Sequence, residues 1–247
     1  MKNIMSHRPG ITANPSNYIQ ASADGLMAQV LLSFLATAGL FYVNIMPALV
    51  DGLMSGLNFS ARDAGLVASM NVYGSALGAL LAVFIIRKLP WKPLSGVLLL
   101  CIIVIDFVSA QITTAENLII VRALHGVVGG ILVGIGFAVI ARTGSADKSF
   151  GMLMLVQFGL GGLGLVILPG LVSQYGTQVL FLSLIAFSVI TLLMLPFIAD
   201  YPETSDPKTN NASTDQPTKW LMPALVLMAI LLKITASSFT KAIFISL

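Results

Sequence analysis

Six stretches of this chain are each apolar over close to a membrane's width, at 26–50, 64–86, 93–111, 117–141, 150–172 and 178–199. A hydrocarbon layer about 30 Å thick is crossed by roughly 20 helical residues. Water-filled surroundings would penalise so much continuous apolar surface, and lipid does not. An open strand in lipid would leave its backbone N–H and C=O groups unsatisfied, so the six runs are read as transmembrane helices. The expected fold class is an all-α membrane protein built on a six-helix bundle. A seventh run begins near Trp220 and extends to about 240, where Lys233, Thr235, Ser237, Ser238 and Thr240 make it more polar.

Charge supports the same reading. Charged residues are 9% of the chain and hydrophobic ones 57%, whereas a soluble domain carries about 25% charged residues. Mean hydropathy is +0.94. These values exclude an ordinary soluble enzyme, a disordered chain and a nucleic-acid binder, and they make the lipid bilayer the first expected partner. The single cysteine, Cys101, allows neither an internal disulfide nor a thiolate metal site and is expected as a small buried hydrophobe. No cofactor or metal is expected. The first apolar run follows a polar lead and is longer than a signal-peptide core of about 7–15 residues.

The chain divides into a tail at 1–25, the bundle at 26–199, a linker at 200–219 and a seventh helix with the C-terminus at 220–247. The linker, DYPETSDPKTNNASTDQPTK, is rich in Pro, Thr, Asn and charge and should be flexible. Lys2, Arg8, Arg87, Lys88, Lys92, Arg142, Lys148, Lys208 and Lys219 fall on one side of the membrane, and Arg62 on the other. Basic loops stay inside, so the N-terminus and the linker are expected in the cytoplasm of a plasma or bacterial inner-membrane protein.

Residues 62–78 and 148–164 resemble each other at an offset of 86, pairing Asn71 with Gln157, Gly65 with Gly151 and Gly78 with Gly164. The offset brings spans one to three onto spans four to six. Three helices per unit invert the second copy, giving a 3+3 inverted repeat, an arrangement found in transporters. Chance matching in a Gly- and Leu-rich chain is the alternative.

Charges inside lipid are expensive and point to function. Arg122 in the fourth span is the clearest, followed by Gly126, Gly130 and Gly134 and accompanied by His125 one turn away. The glycines let a neighbouring helix approach closely. Arg122 could bind a carboxylate solute, hold a coupling acid ionised, or form a structural ion pair. Asp106 is the candidate partner: spans three and four turn near Thr114, and both residues lie eight positions from it. Asp106 could otherwise sit near the outer interface. His125 could carry protons or simply bond between helices. Asn44, Asn71 and Gln157 are amides at membrane depth; Asn71, Ser75 and Gly78 share one helical face, and Gln157, Gly161 and Gly164 another, lining a cavity or packing tightly. Phe41, Tyr42 and Tyr73 could contact an aromatic or apolar solute but are expected mainly as core. Pro47 and Pro169, near helix ends, should bend the chain. Asn58-Phe59-Ser60 is a glycosylation sequon only in a eukaryotic secretory route.

Together these features resemble the major facilitator superfamily and, more loosely, its drug:proton antiporter-like branch, over residues about 26–240. In LIIVRALHGVVGG, Leu118, Arg122 and Gly126 match the family's fourth-helix motif, and His125 replaces its Gln. The resemblance implies a role for Arg122 in proton coupling or substrate binding. The loop RKLPWKP keeps Lys88, Lys92 and Pro93 of the family's gating motif, but Arg87 replaces its Asp and Pro90 its Gly. FGLGGLGLVILPG keeps glycines and moves the antiporter proline to Pro169, so antiport is not favoured over symport or uniport. No nucleophile elbow, metal-ligand spacing or phosphate loop competes, and the chain is not expected to be an enzyme.

Two functions follow. One is a secondary transporter of a small organic solute, proton-coupled, with Arg122, His125, Asp106, Asn44, Asn71 and Gln157 along the pathway and Arg87, Lys88 and Lys92 in the gating loop. The other is a non-transporting regulatory or structural membrane protein. The family works with two six-helix halves, so the chain is expected to be truncated within its second half, with a homodimer the other source of a missing half.

Overall fold

The computed structural model describes residues 20–23, 25–86 and 89–201. Their regular structure is helical: α1 (Leu26–Asn44), α2 (Met46–Leu57), α3 (Ala61–Ile85), α4 (Trp91–Gln111), α5 (Ala115–Ile140), α6 (Ala146–Tyr175) and α7 (Gln178–Met194), closed by a 3-10 turn at Leu195–Phe197. Among the described residues, six helices are long and apolar enough to cross a membrane: α1, α3, α4, α5, α6, and α7 with its closing turn. Their outward faces carry Phe84, Ile120, Phe158, Val166 and Leu193, all exposed. Such a rim would aggregate in water and is neutral in lipid.

The first span differs from one continuous helix over 26–50. It breaks at Ile45 (φ −99°, ψ 9°) and resumes as α2 through Leu57. Pro47 sits at the start of α2, where its missing N–H costs nothing, while its ring would clash with the carbonyl four residues back in an unbroken helix. Pro169 stands in the last third of its helix. It lies inside α6, which continues to Tyr175. Cys101 is also corrected: it is exposed on the outer face of α4, not buried. Ser60 caps α3 by accepting the Asp63 N–H at 3.1 Å. The seventh run at 220–247 and most of the linker lie outside the described residues.

Packing follows a two-fold logic. α1 packs on α6 as α5 packs on α3, while α1 meets α5 and α4 meets α7. With α1/α2, α3 and α4 as one unit and α5, α6 and α7 as the other, each first helix meets the other unit's second helix. First helices meet each other, and so do third helices. That is the contact pattern of an inverted repeat. The paired amides agree with it: Asn71 on α3 bonds to α5, and Gln157 on α6 bonds to α1.

α3 and α5 pack most closely. The peptide backbone of Asn71 and Ser75 lies against Gly126 and Gly130, and that of Ala123 and Val127 lies against Gly74 and Gly78. The Asn71, Ser75, Gly78 face therefore packs tightly instead of lining a cavity. The same holds for Gly161 and Gly164, which meet Asn44 of α1 and Ile45 just after it.

One end of the bundle is clasped by residues 197–201. Ala21 N–H donates to the Phe197 carbonyl at 3.0 Å. Tyr201 Oη donates to the Ala23 carbonyl at 2.6 Å, and Arg142 donates to the Tyr201 carbonyl at 3.4 Å. Lys92 pairs with Asp200 at 2.8 Å, but the Asp200 side chain is 72% exposed. Exposed pairs contribute little. A double-mutant cycle on Lys92→Ala and Asp200→Ala, read from thermal unfolding in detergent, is expected to give a coupling of about 0.2–1 kcal/mol that fades with added salt. This basic end also carries Lys148. The opposite end holds the turns at 58–60, 112–114 and 176–177.

Candidate functional site

The site begins with the α4–α5 hairpin. Thr114 precedes α5, and equal spacing from it sets Asp106 and Arg122 at one level. Their side chains are both 0% exposed, and Arg122 Nη1 donates to Asp106 Oδ1 at 2.8 Å. The pair expected from the hairpin register therefore forms. Arg122 Nη2 donates to Ser109 Oγ and, at 3.4 Å, to the Ile105 carbonyl. Ser109 lies three residues beyond Asp106, on the same face of α4, and itself donates to the Ile105 carbonyl at 2.7 Å.

His125 comes next along α5. Its Nε2 is 3.3 Å from Asp106 Oδ1, and its Nδ1 is 2.8 Å from Asn71 Nδ2. Asn71 Nδ2 also donates to the Arg122 carbonyl at 3.2 Å. A carbonyl only accepts, which fixes that end of the amide as the NH2 group. The amide thus donates to Nδ1, leaving Nε2 to carry the ring hydrogen and donate to Asp106. Asp106 Oδ1 consequently receives both Arg122 and His125.

Two aromatic rings complete the enclosure. Tyr42 of α1 and Phe181 of α7 lie 5.4 and 5.2 Å from the guanidinium carbon of Arg122. Both rings offer the cation their electron-rich faces where water is excluded. Tyr42 also sits 5.6 Å from the His125 ring. Five helices thus converge: Tyr42 from α1, Asn71 from α3, Asp106 and Ser109 from α4, Arg122 and His125 from α5, and Phe181 from α7. Asp106 Oδ2, Arg122 Nε and Tyr42 Oη are buried with no hydrogen-bond partner among the described residues.

The remaining candidates lie elsewhere. Asn44 Nδ2 donates to the Gln157 carbonyl at 3.3 Å, and Gln157 Nε2 donates to Asn44 Oδ1 at 3.2 Å. This pair joins α1 to α6 and bonds to itself instead of to Arg122. Lys92 belongs to the basic-end clasp; Arg87 and Lys88 lie outside the described residues. Phe41 stacks on Phe187 at 4.5 Å in the core. Tyr73, expected in the core, is 44% exposed on the outer face of α3.

Ser109 stands outside the residues expected from the sequence, although its three-residue spacing from Asp106 is a signal for it. Phe181 is likewise unannounced, since nothing in the sequence of α7 distinguishes it from Phe187.

The sequence profile of the Major Facilitator Superfamily matches residues 30–246. No curated protein matches the chain.

Proposed function

Since the chain belongs to the major facilitator superfamily, a family of secondary transporters, we propose that it moves a small organic solute with proton coupling through its Arg122–Asp106–His125–Asn71 network. The observation that supports this most is the complete burial of an ion pair in direct contact with a histidine. Burying two charges costs several kcal/mol per ion before their attraction is counted. A chain that needed only adhesion between α4 and α5 could obtain it from apolar packing.

In this reading Asp106 is the proton acceptor and Arg122 the charge that responds. With Asp106 ionised, Arg122 and His125 both hold Oδ1, which ties α5 to α4. A proton on Asp106 cancels the attraction for Arg122 and frees its guanidinium, either for an anionic group of the solute or for another arrangement of the helices. His125 links this event to the α3–α5 contact, because a proton placed on Nδ1 would displace the Asn71 amide. The excess of basic residues in the loops supports a cytoplasmic N-terminus in a plasma membrane. Residues 58–60, 112–114 and 176–177 would then face outward.

The test is uptake by proteoliposomes containing the chain, screened with labelled organic acids, bases and sugars under an imposed proton gradient. A pH-sensitive dye reports proton movement. Asp106→Asn keeps the side-chain shape and can still accept from Arg122. It is expected to abolish solute-linked proton flux and leave the elution profile in detergent unchanged. Unaltered flux in Asp106→Asn would overturn the assignment.

A further inference from the structure

At the end opposite the basic clasp, a cavity of about 350 Å³ opens between the C-terminus of α2, the α4–α5 turn and the α6–α7 turn. Leu57, Ile112, Thr113, Gly176 and Gln178 line it, with Phe181 among the wall residues. Phe181 is 2% exposed and also lies 5.2 Å from the Arg122 guanidinium carbon. Phe181 is therefore the residue that borders both the cavity and the buried network. Ala110, another wall residue, directly follows Ser109, which accepts from Arg122.

We infer that this cavity is a water-filled antechamber to the Arg122–Asp106–His125 network, and that Phe181 is the side chain that closes it. The inference rests on the orientation and proton role proposed above. Its ligand is water, with the hydronium it can carry.

Two independent observations support it. Thr113 and Gln178, residues with polar side chains, are among those that line the cavity, as a hydrated space requires, and its volume holds several water molecules at about 30 Å³ each. Within the network, Asp106 Oδ2, Arg122 Nε and Tyr42 Oη are buried without a partner. Buried polar atoms of this kind are characteristically met by water. A rotation of the Phe181 side chain would join the two. A hydronium in the cavity would then pass its proton to the Asp106 carboxylate, leaving water and a neutral carboxyl group. With Phe181 in place the network is cut off from the water of the cavity, which keeps the Arg122–Asp106 attraction strong and prevents protons from leaking past it.

Thiol labelling in intact cells reads this access without any transport assay. Cys101→Ser provides a thiol-free background. In it, Thr113→Cys should react with a membrane-impermeant maleimide added outside, whatever residue occupies position 181. Ser109→Cys should react slowly, and about tenfold faster once Phe181→Ala removes the barrier, because labelling follows the open population. Hydroxyl-radical footprinting needs no cysteine and covers the case in which Ser109→Cys fails to fold. Oxidation of Tyr42 and His125 should rise in Phe181→Ala, and by less in the milder Phe181→Leu. An unreactive Thr113→Cys would show the cavity to be dry or on the wrong side. Unchanged footprinting in both Phe181 variants would show that the ring closes nothing. Either result overturns the antechamber. Neither bears on whether Asp106→Asn loses proton flux, so the two proposals fail separately.

Discussion

Arg122→Ala is expected to lower stability by about 3–5 kcal/mol, the cost of leaving a buried charge without its partner. The reason lies in what the substitution strands. Asp106 is fully buried, and its Oδ1 would keep only the 3.3 Å contact with His125. Ser109 Oγ would lose a donor, and Tyr42 and Phe181 would face an empty space where the guanidinium stood. Arg122→Lys should fall between parent and alanine variant, since an ammonium cannot hold Asp106 and Ser109 through one planar fork. The informative comparison is the double variant Arg122→Leu with Asp106→Leu. It removes both charges and fills the space with apolar atoms, so it should recover most of the stability and none of the proton-linked transport. Thermal midpoints in one detergent provide the first readout and dye-reported proton flux the second. An Arg122→Ala protein as stable as the parent would mean that the pair contributes nothing to the fold.

The second large effect is steric. A Cβ at Gly130 would stand 2.8 Å from the Ser75 carbonyl carbon and Cα and closer still to its carbonyl oxygen. These are backbone atoms, which cannot turn aside as a side chain can. Gly130→Ala must therefore push α3 away from α5, and Gly130→Val more so. Overpacking in a core costs about 1–3 kcal/mol where side chains can adjust, and backbone against backbone should exceed that. Lost monodispersity on gel filtration is the expected result for the valine variant. Gly162 is the control. It is equally helical, but a Cβ there meets nothing within 4 Å in the described residues. Gly162→Ala should leave the thermal midpoint unchanged or raise it, by up to about 1 kcal/mol of helix propensity. Equal behaviour of the two alanine variants would contradict the close packing of α3 on α5.

How far the site was legible depended on the distance over which each contact forms. The Arg122–Asp106 pair could be read because a short turn near Thr114 links the two helices and equal spacing fixes their level. Ser109 could have been read from its three-residue offset on the same helix. The partner of the glycines could not. Gly126, Gly130 and Gly134 announce a close neighbour, but it is α3, which lies beyond α4 in sequence. Cys101 and Tyr73 are exposed where burial is expected, for a related reason. On a helix apolar all round, periodicity does not separate the side packed on other helices from the exposed side.

By itself, the sequence determined the membrane solvent, the helical class, six spans, the excess of basic charge at one end and the hairpin register that brings Arg122 to Asp106. These depend on chain length, local hydropathy and covalent spacing, all of which are written residue by residue. Tertiary structure alone decided which helices touch and that Tyr42 and Phe181 enclose the guanidinium. It also decided that Asn71 sets the hydrogen on His125, whereas the break between α1 and α2 follows from Pro47, which the sequence already carries. In lipid, burial of apolar surface does not choose between helix faces, because the tails are as apolar as the side chains. The choice falls to close backbone approach and to matched polar groups, and both exist only once segments distant in sequence have met.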